Sequence, residues 1–320
     1  MKTACEVARG QDLSGRTILV TGGSSGLGME TARALAITGA NVAITARDLD
    51  AGEEVLANLR EAGSGRHALY ALDLSDPAAI RSFAGRIKKD LGAIDVLVAN
   101  AGVAQTPKDR LANGLELRFA TNYLGHFLLV DALLPMLSER GARLVLLGSA
   151  GHKGRPVNLS DLAWQDRDID QRVAYGESKS ALSLFAVEAT RRWHGRDIFA
   201  NCILPGSVVT RLQRHHTPER MAEMLRIGNA GDANSVFISV EEAAATSVWA
   251  AVAPELERVG GLVLEQCAPC QISGPDTHPY RGYELHSTDS ETARLLWDRT
   301  LKLIAARGIG QIPVNSAAGP

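Results

Sequence analysis

Tyr175 and Lys179 stand four residues apart in a stretch patterned as a helix, so their side chains project from one face. A phenol beside an ammonium is a proton-transfer device. A phenol gives up its proton near neutrality only if its pKa falls from about 10. The ammonium favours the phenolate, and a drop of about three units corresponds to roughly 4 kcal/mol. Alone, such a pair also occurs as plain helix neighbours. A second cluster, Thr21-Gly22-Gly23-Ser24-Ser25-Gly26-Leu27-Gly28, follows an apolar run and passes directly into a helical pattern. Glycines let a backbone approach a pyrophosphate, and the helix start offers unpaired N–H groups and a partial positive charge. A tight turn would also use glycine, but strand, loop and helix in that order favour a phosphate cradle. Cys267 and Cys270 form a third motif, Cys-Ala-Pro-Cys. No second such pair and no closely spaced histidine pair accompanies it, and the reading is incidental thiols, with neither metal nor redox chemistry.

Elements that position these groups alternate along the chain. Short β-rich runs at Thr17–Val20, Asn41–Thr45, His67–Leu72, Val96–Ala99, Arg143–Leu147 and Phe199–Leu204 predict strands, and a seventh is expected at Leu262–Glu265. Helical patterns at Leu27–Thr38, Leu49–Glu61, Pro77–Asp90, Leu115–Ser138 and Val173–Trp193 lie between them. Another helix is expected at Val240–Val252, opened by Ser239 with Glu241 and Glu242 in its first turn. The pattern is that of an α/β fold, one doubly wound domain with a parallel sheet of about seven strands covered by helices on both faces. Its expected extent is residues 15–309, after an N-terminal extension (1–14) and before a tail (310–320) expected to be frayed.

With 320 residues, 45% of them apolar and 22% charged, the chain can bury a sizeable core. A formal net charge of -2 gives no global field for nucleic acid or anionic lipid. The first residues lack the apolar core of a signal peptide and no apolar run is long enough for a bilayer, so a cytoplasmic protein is expected.

Further motifs fall in order behind the glycine loop: Asp73 at the end of the third strand, Asn100-Ala101-Gly102 after the fourth, Tyr175-x3-Lys179, then Pro205-Gly206 with Thr210. Together they resemble the short-chain dehydrogenase/reductase family, whose cofactor loop is Thr-Gly-x3-Gly-x-Gly on a Rossmann fold. The resemblance implies a nicotinamide cofactor held by Gly22, Ser24, Ser25, Gly26, Leu27, Gly28, Arg47, Asp73, Leu74, Asn100, Ala101, Gly102, Tyr175, Lys179, Pro205, Gly206, Val208 and Thr210. It places Asp73 and Leu74 beside the adenine, Asn100-Ala101-Gly102 under the cofactor, and Val208 and Thr210 near the carboxamide. It also implies a catalytic set of Asn122, Ser149, Tyr175 and Lys179, in which Ser149 bonds the carbonyl oxygen and Asn122 holds a water relaying protons through Lys179. Ser149 is preferred to Ser160, which lies in an apparent insertion from about His152 to Arg172. Ala99 stands where many members have a further asparagine. The insertion and the run from Asn122 to Leu129 are similar to the branch of retinol dehydrogenases and light-independent protochlorophyllide-reductase-like proteins.

Relatives selective for NAD carry an acidic residue near Ala46, and Arg47 beside this alanine suits a 2′-phosphate, so NADP(H) is expected before NAD(H). Asp48 is the opposing feature, either neutralising Arg47 or facing the ribose. The irregular stretch 211–239, with Leu212, Met221, Met224, Leu225, Ile227 and Phe237, is where the family places its substrate lid. The expected activity is hydride transfer between nicotinamide and a carbonyl or alcohol carbon of a bulky lipophilic molecule. A non-catalytic NADP(H)-binding regulator, an NAD-dependent alcohol dehydrogenase and a nucleotide-sugar epimerase or dehydratase are the competing readings. Pairing of helices between subunits, as in the family, implies a dimer or tetramer.

Overall fold

Residues 1–228 and 237–309 are described by the computed structural model. The expected tail from residue 310 and part of the expected lid lie outside them. The chain begins with α1 (Ala4–Ala8), closed at Thr3 by a capping box with Glu6 and packed under the core through Ala4 and Ala8. Residues 1–14 thus include a helix where only an extension was expected.

Seven parallel strands and one antiparallel hairpin strand make the sheet: β1 (Thr17–Val20), β2 (Asn41–Ala46), β3 (His67–Ala71), β4 (Val96–Ala99), β5 (Ala142–Leu147), β6 (Ile198–Leu204), β7 (Val263–Glu265) and β8 (Ala268–Pro269). Their spatial order is β3-β2-β1-β4-β5-β6-β7-β8. The order reverses between β1 and β4, and ligands of such sheets bind at that point, beyond the carboxyl ends of the strands. The apolar strands are buried on both faces because helices cover both.

Around the sheet run α2 (Gly26–Ala36), α3 (Leu49–Ala62), α4 (Pro77–Asp90), α5 (Gly125–Leu133), α6 (Gln171–Trp193), α7 (Pro218–Gly228), α8 (Val240–Ala243), α9 (Ala245–Val252) and α10 (Ser290–Ala306). No helix among the described residues is long and apolar enough to cross a membrane.

Four differences from the sequence expectation have local causes. Cys267-Ala-Pro-Cys270 builds the hairpin into β8, with Gln266 and Cys267 both left-handed at the two-residue turn. The run expected as one helix over Leu115–Ser138 begins at Leu117 and passes into a π-helical turn, Phe119–Leu124, that leads into α5 and then a short 3-10 turn at Pro135. The helix expected at Val240–Val252 breaks at Ala244, although Ser239 and Glu242 do form its capping box. Finally, α10 lays Trp297 against Phe127 and Phe185, closing the core on the α6 side with a helix that carries no motif.

Candidate active site

The glycine loop leaves β1 with Gly22 and Gly26 in the left-handed region, at φ of 65° and 55°. Ser25 occupies the N-cap of α2 but makes no capping bond, so the first-turn N–H groups have no side-chain acceptor. Behind the loop, the Asn100 amide donates to the carbonyls of Thr21 (2.8 Å) and Gly22 (3.1 Å), and Ala101 N–H donates to the Thr21 hydroxyl (3.0 Å). Thr210 packs against Gly26 from the opposite side, 3.5 Å from where a Cβ there would stand. Donors, close backbone and a helix start in one cradle fit a dinucleotide pyrophosphate.

One open cleft of about 820 Å³ joins this cradle to Tyr175. It is lined by every residue of the expected cofactor set, from Gly22 to Thr210, and by Ser149. Beyond β3, Asp73 turns its carboxylate onto Ser75, and Leu74 is buried beside α5. Asp48 caps α3 by accepting from Ala51 N–H at 3.3 Å. Arg47, exposed at the mouth, forms no ion pair among the described residues.

At the far end, the Ser149 hydroxyl stands near enough to the Tyr175 phenol to act on its pKa and accepts from Gly151 N–H at 3.1 Å. Lys179 is buried, lies 5.6 Å from the Tyr175 ring centre and donates to the Leu147 carbonyl at 2.6 Å. Burial pushes its ammonium down to about 8, while the nearby Cys202 thiol acts the other way. The phenol differs from expectation. Burial raises its pKa and only the nearby Ser149 hydroxyl opposes that, since the lysine is directed at a carbonyl and not at the phenol oxygen. Ser160 bonds Asn158 on the surface and does not reach the cleft.

Asn122 is engaged with protein groups. Its amide accepts from Val103 N–H (2.8 Å) and donates to the Val103 carbonyl (2.9 Å) and the Ser178 hydroxyl (3.0 Å). It thereby clamps the segment after Gly102, whose Cα faces both Asn122 and the Lys179 ammonium.

Several positioning groups lacked any motif. His126, buried, places Nδ1 at 2.8 Å from the Asn122 carbonyl and Nε2 at 3.0 Å from the Thr21 hydroxyl. A carbonyl only accepts, so Nδ1 carries the proton, and burial holds the ring neutral with its pKa pushed down to about 4. The π-helical turn carries Asn122, and its ladder runs i→i−5, as Gly125 N–H to Ala120 shows. His152 accepts from Glu284 N–H through Nε2 and bonds the Ser149 carbonyl through Nδ1 at 2.7 Å, tying the C-terminal segment to the serine. Tyr280 of that segment lines the cleft with Leu212, Met224 and Phe237. Only the aromatic character of Tyr280 hinted at this, and the link needs the tertiary fold.

Residues 16–221 match the family described as short chain dehydrogenase. A probable oxidoreductase of Streptomyces antibioticus is 42% identical over 293 residues, covering 90% of this chain and 97% of its own. Retinol dehydrogenase 13 of Mus musculus is 34% identical over 300 residues, covering 91% of this chain and 84% of its own. A crystal structure of a short chain dehydrogenase from Burkholderia cenocepacia in complex with NADP superposes with a TM-score of 0.64 at 27% identity, covering 80% of this chain and 97% of that one. With the family matched over most of its length, the chain belongs to the short-chain dehydrogenase/reductases, an oxidoreductase of their retinol-dehydrogenase-like branch.

Proposed function

We propose that this chain is an NADP(H)-dependent carbonyl reductase or alcohol dehydrogenase that uses Tyr175 as proton donor and acceptor. The observation that carries it is the meeting of Tyr175, Ser149 and Lys179 at the end of a cleft whose other end is a pyrophosphate cradle. The nicotinamide, when bound, supplies the hydride and, in its oxidised form, a positive charge. Ser149 holds the reacting oxygen and the phenol, Tyr175 hands over the proton, and Lys179 keeps a positive charge beside the ring. Asn122 and His126 fix the Val103 and Thr21 segments that shape the floor. Leu212, Met224, Phe237 and Tyr280 give the substrate end an apolar wall, which suits a bulky lipophilic body, and residues 211–239 serve as its lid.

Two expectations test this reading. With its capping bond, Asp48 has a helix to serve, and Arg47 is left to meet a 2′-phosphate; a charge-assisted contact of that kind is typically worth roughly 1.5–3 kcal/mol. Steady-state kinetics should show NADPH preferred over NADH by at least about tenfold in kcat/KM, with Arg47→Ala removing most of the preference by harming NADPH alone. Equal or better use of NADH by the unmodified enzyme would overturn the NADP assignment.

The pH profile should follow Lys179. Its ammonium is present below about pH 8 and is lost as pH rises through that value, whereas the raised phenol stays protonated. Carbonyl reduction is therefore expected to be level below about pH 8 and to fall above it. The buried groups around the lysine, His126 and Cys202, are neutral across this range, one pushed down to about 4 and the other up to about 11. A reduction rate that climbs through pH 8 would contradict this.

A further inference from the structure

The apolar wall is only part of the substrate end. Arg155 and Arg172 line the same cleft, and both belong to the tyrosine's immediate surroundings. Arg172 lies one helical turn before Tyr175 on α6 and so shares its face. Arg155 packs its aliphatic stem on Gly176, where a Cβ would come within 2.6 Å of it, and its carbonyl accepts from the Ser180 hydroxyl at 2.7 Å. Both positions are thus set by α6 itself.

Neither guanidinium has a carboxylate partner among the described residues. Arg155 donates only to the neighbouring Gly154 carbonyl (2.9 Å), and Arg172 makes no side-chain hydrogen bond or ion pair there. The carboxylates that feel their charge are already engaged. Asp170 caps α6 through the N–H groups of Arg172 and Val173, and Glu223 pairs with Arg220 at 2.6 Å. Among the described residues, the only acidic ones lining the cleft are Asp48 and Asp73, which follow β2 and β3.

These cations also stand apart from the expected 2′-phosphate contact. Arg47 follows β2 and Arg155 follows β5, and in the order β2-β1-β4-β5 those strands are three spacings, about 14 Å, apart. The strand that leads to Arg155 is thus separated by β1 and β4 from the strand that leads to Arg47.

We propose that the substrate carries a carboxylate on an otherwise apolar body, and that Arg155 and Arg172 bind it beside the reacting carbonyl. The proposal rests on the reductase reading above. Guanidiniums in a cleft form strong charge-assisted contacts with carboxylates, while a neutral analogue leaves the same donors unpaired and loses affinity.

The test uses the full chain with NADPH and matched pairs: para-acetylbenzoate with its methyl ester, and an oxostearate with its methyl ester. Each acid is expected to exceed its ester in kcat/KM by at least about tenfold, and the preference should shrink as salt is raised. Arg155→Met keeps the stem that packs on Gly176, and Arg172→Gln changes an exposed side chain. In the double variant the acid-to-ester ratio should fall close to one. Esters used as well as acids by the unmodified enzyme, or a preference that survives in the double variant, would overturn the proposal. Reduction of neutral aldehydes but of neither pair would sink the carboxylate while sparing the reductase reading. No NADPH oxidation with any carbonyl compound would sink both.

Discussion

Tyr175→Phe is expected to lower kcat by at least about a thousandfold while leaving the NADPH dissociation constant within a few-fold of its original value. General acid–base catalysis is commonly worth two to four orders of magnitude, and here the phenol stands beside Ser149 in the cleft. The ring would still pack on Gly151, so the loss would be chemical and not architectural. Equilibrium titration of NADPH fluorescence beside steady-state turnover separates the two effects. Near-normal turnover in this variant would remove Tyr175 from the mechanism.

Gly28→Ala should act on the other end of the cleft. A Cβ at this position would stand 2.3 Å from the Gly22 carbonyl oxygen and 2.4 Å from the Asn100 amide nitrogen. Both are parts of the cradle, and Asn100 is fixed by its bonds to Thr21 and Gly22, so the methyl must push the loop away from its support. The NADPH dissociation constant is expected to rise by about a hundredfold, equivalent to about 2.8 kcal/mol. A control is Gly85→Ala on α4, where a Cβ meets nothing within 4 Å and binding should not change. Thermal unfolding of both variants shows whether the Gly28 change has destroyed the fold instead of the cradle. Retention of normal NADPH affinity in a folded Gly28→Ala protein would contradict the assignment.

Much of the framework was legible because its causes are local. β1 and β4 match their apolar runs residue for residue, since strands buried on both faces leave no polar alternation to blur their ends. α4 likewise begins at Pro77, its Asp76 cap supplying the start signal. What the sequence hid depends on contacts between distant segments. The π-helical turn at Phe119–Leu124 is shaped by Asn122 reaching Val103 and by His126 reaching Thr21, neither visible as a spacing. β8 is too short for any periodicity, and α10 was missed because its pattern stood outside every motif. The same holds within the site. The Tyr175–Lys179 spacing correctly put both groups on α6, yet only the fold reveals that the ammonium is directed at Leu147 and that the phenol depends on Ser149.

The central claim, direct hydride transfer between nicotinamide and a carbonyl carbon, is tested by reducing an aldehyde with NADPH carrying deuterium at the transferable ring position. Mass spectrometry of the alcohol should find deuterium on the carbinol carbon when the label is on one face of the ring, and none when it is on the other. NADPH oxidation that leaves the alcohol unlabelled from both faces, or no oxidation across a broad set of carbonyl compounds, would contradict the account.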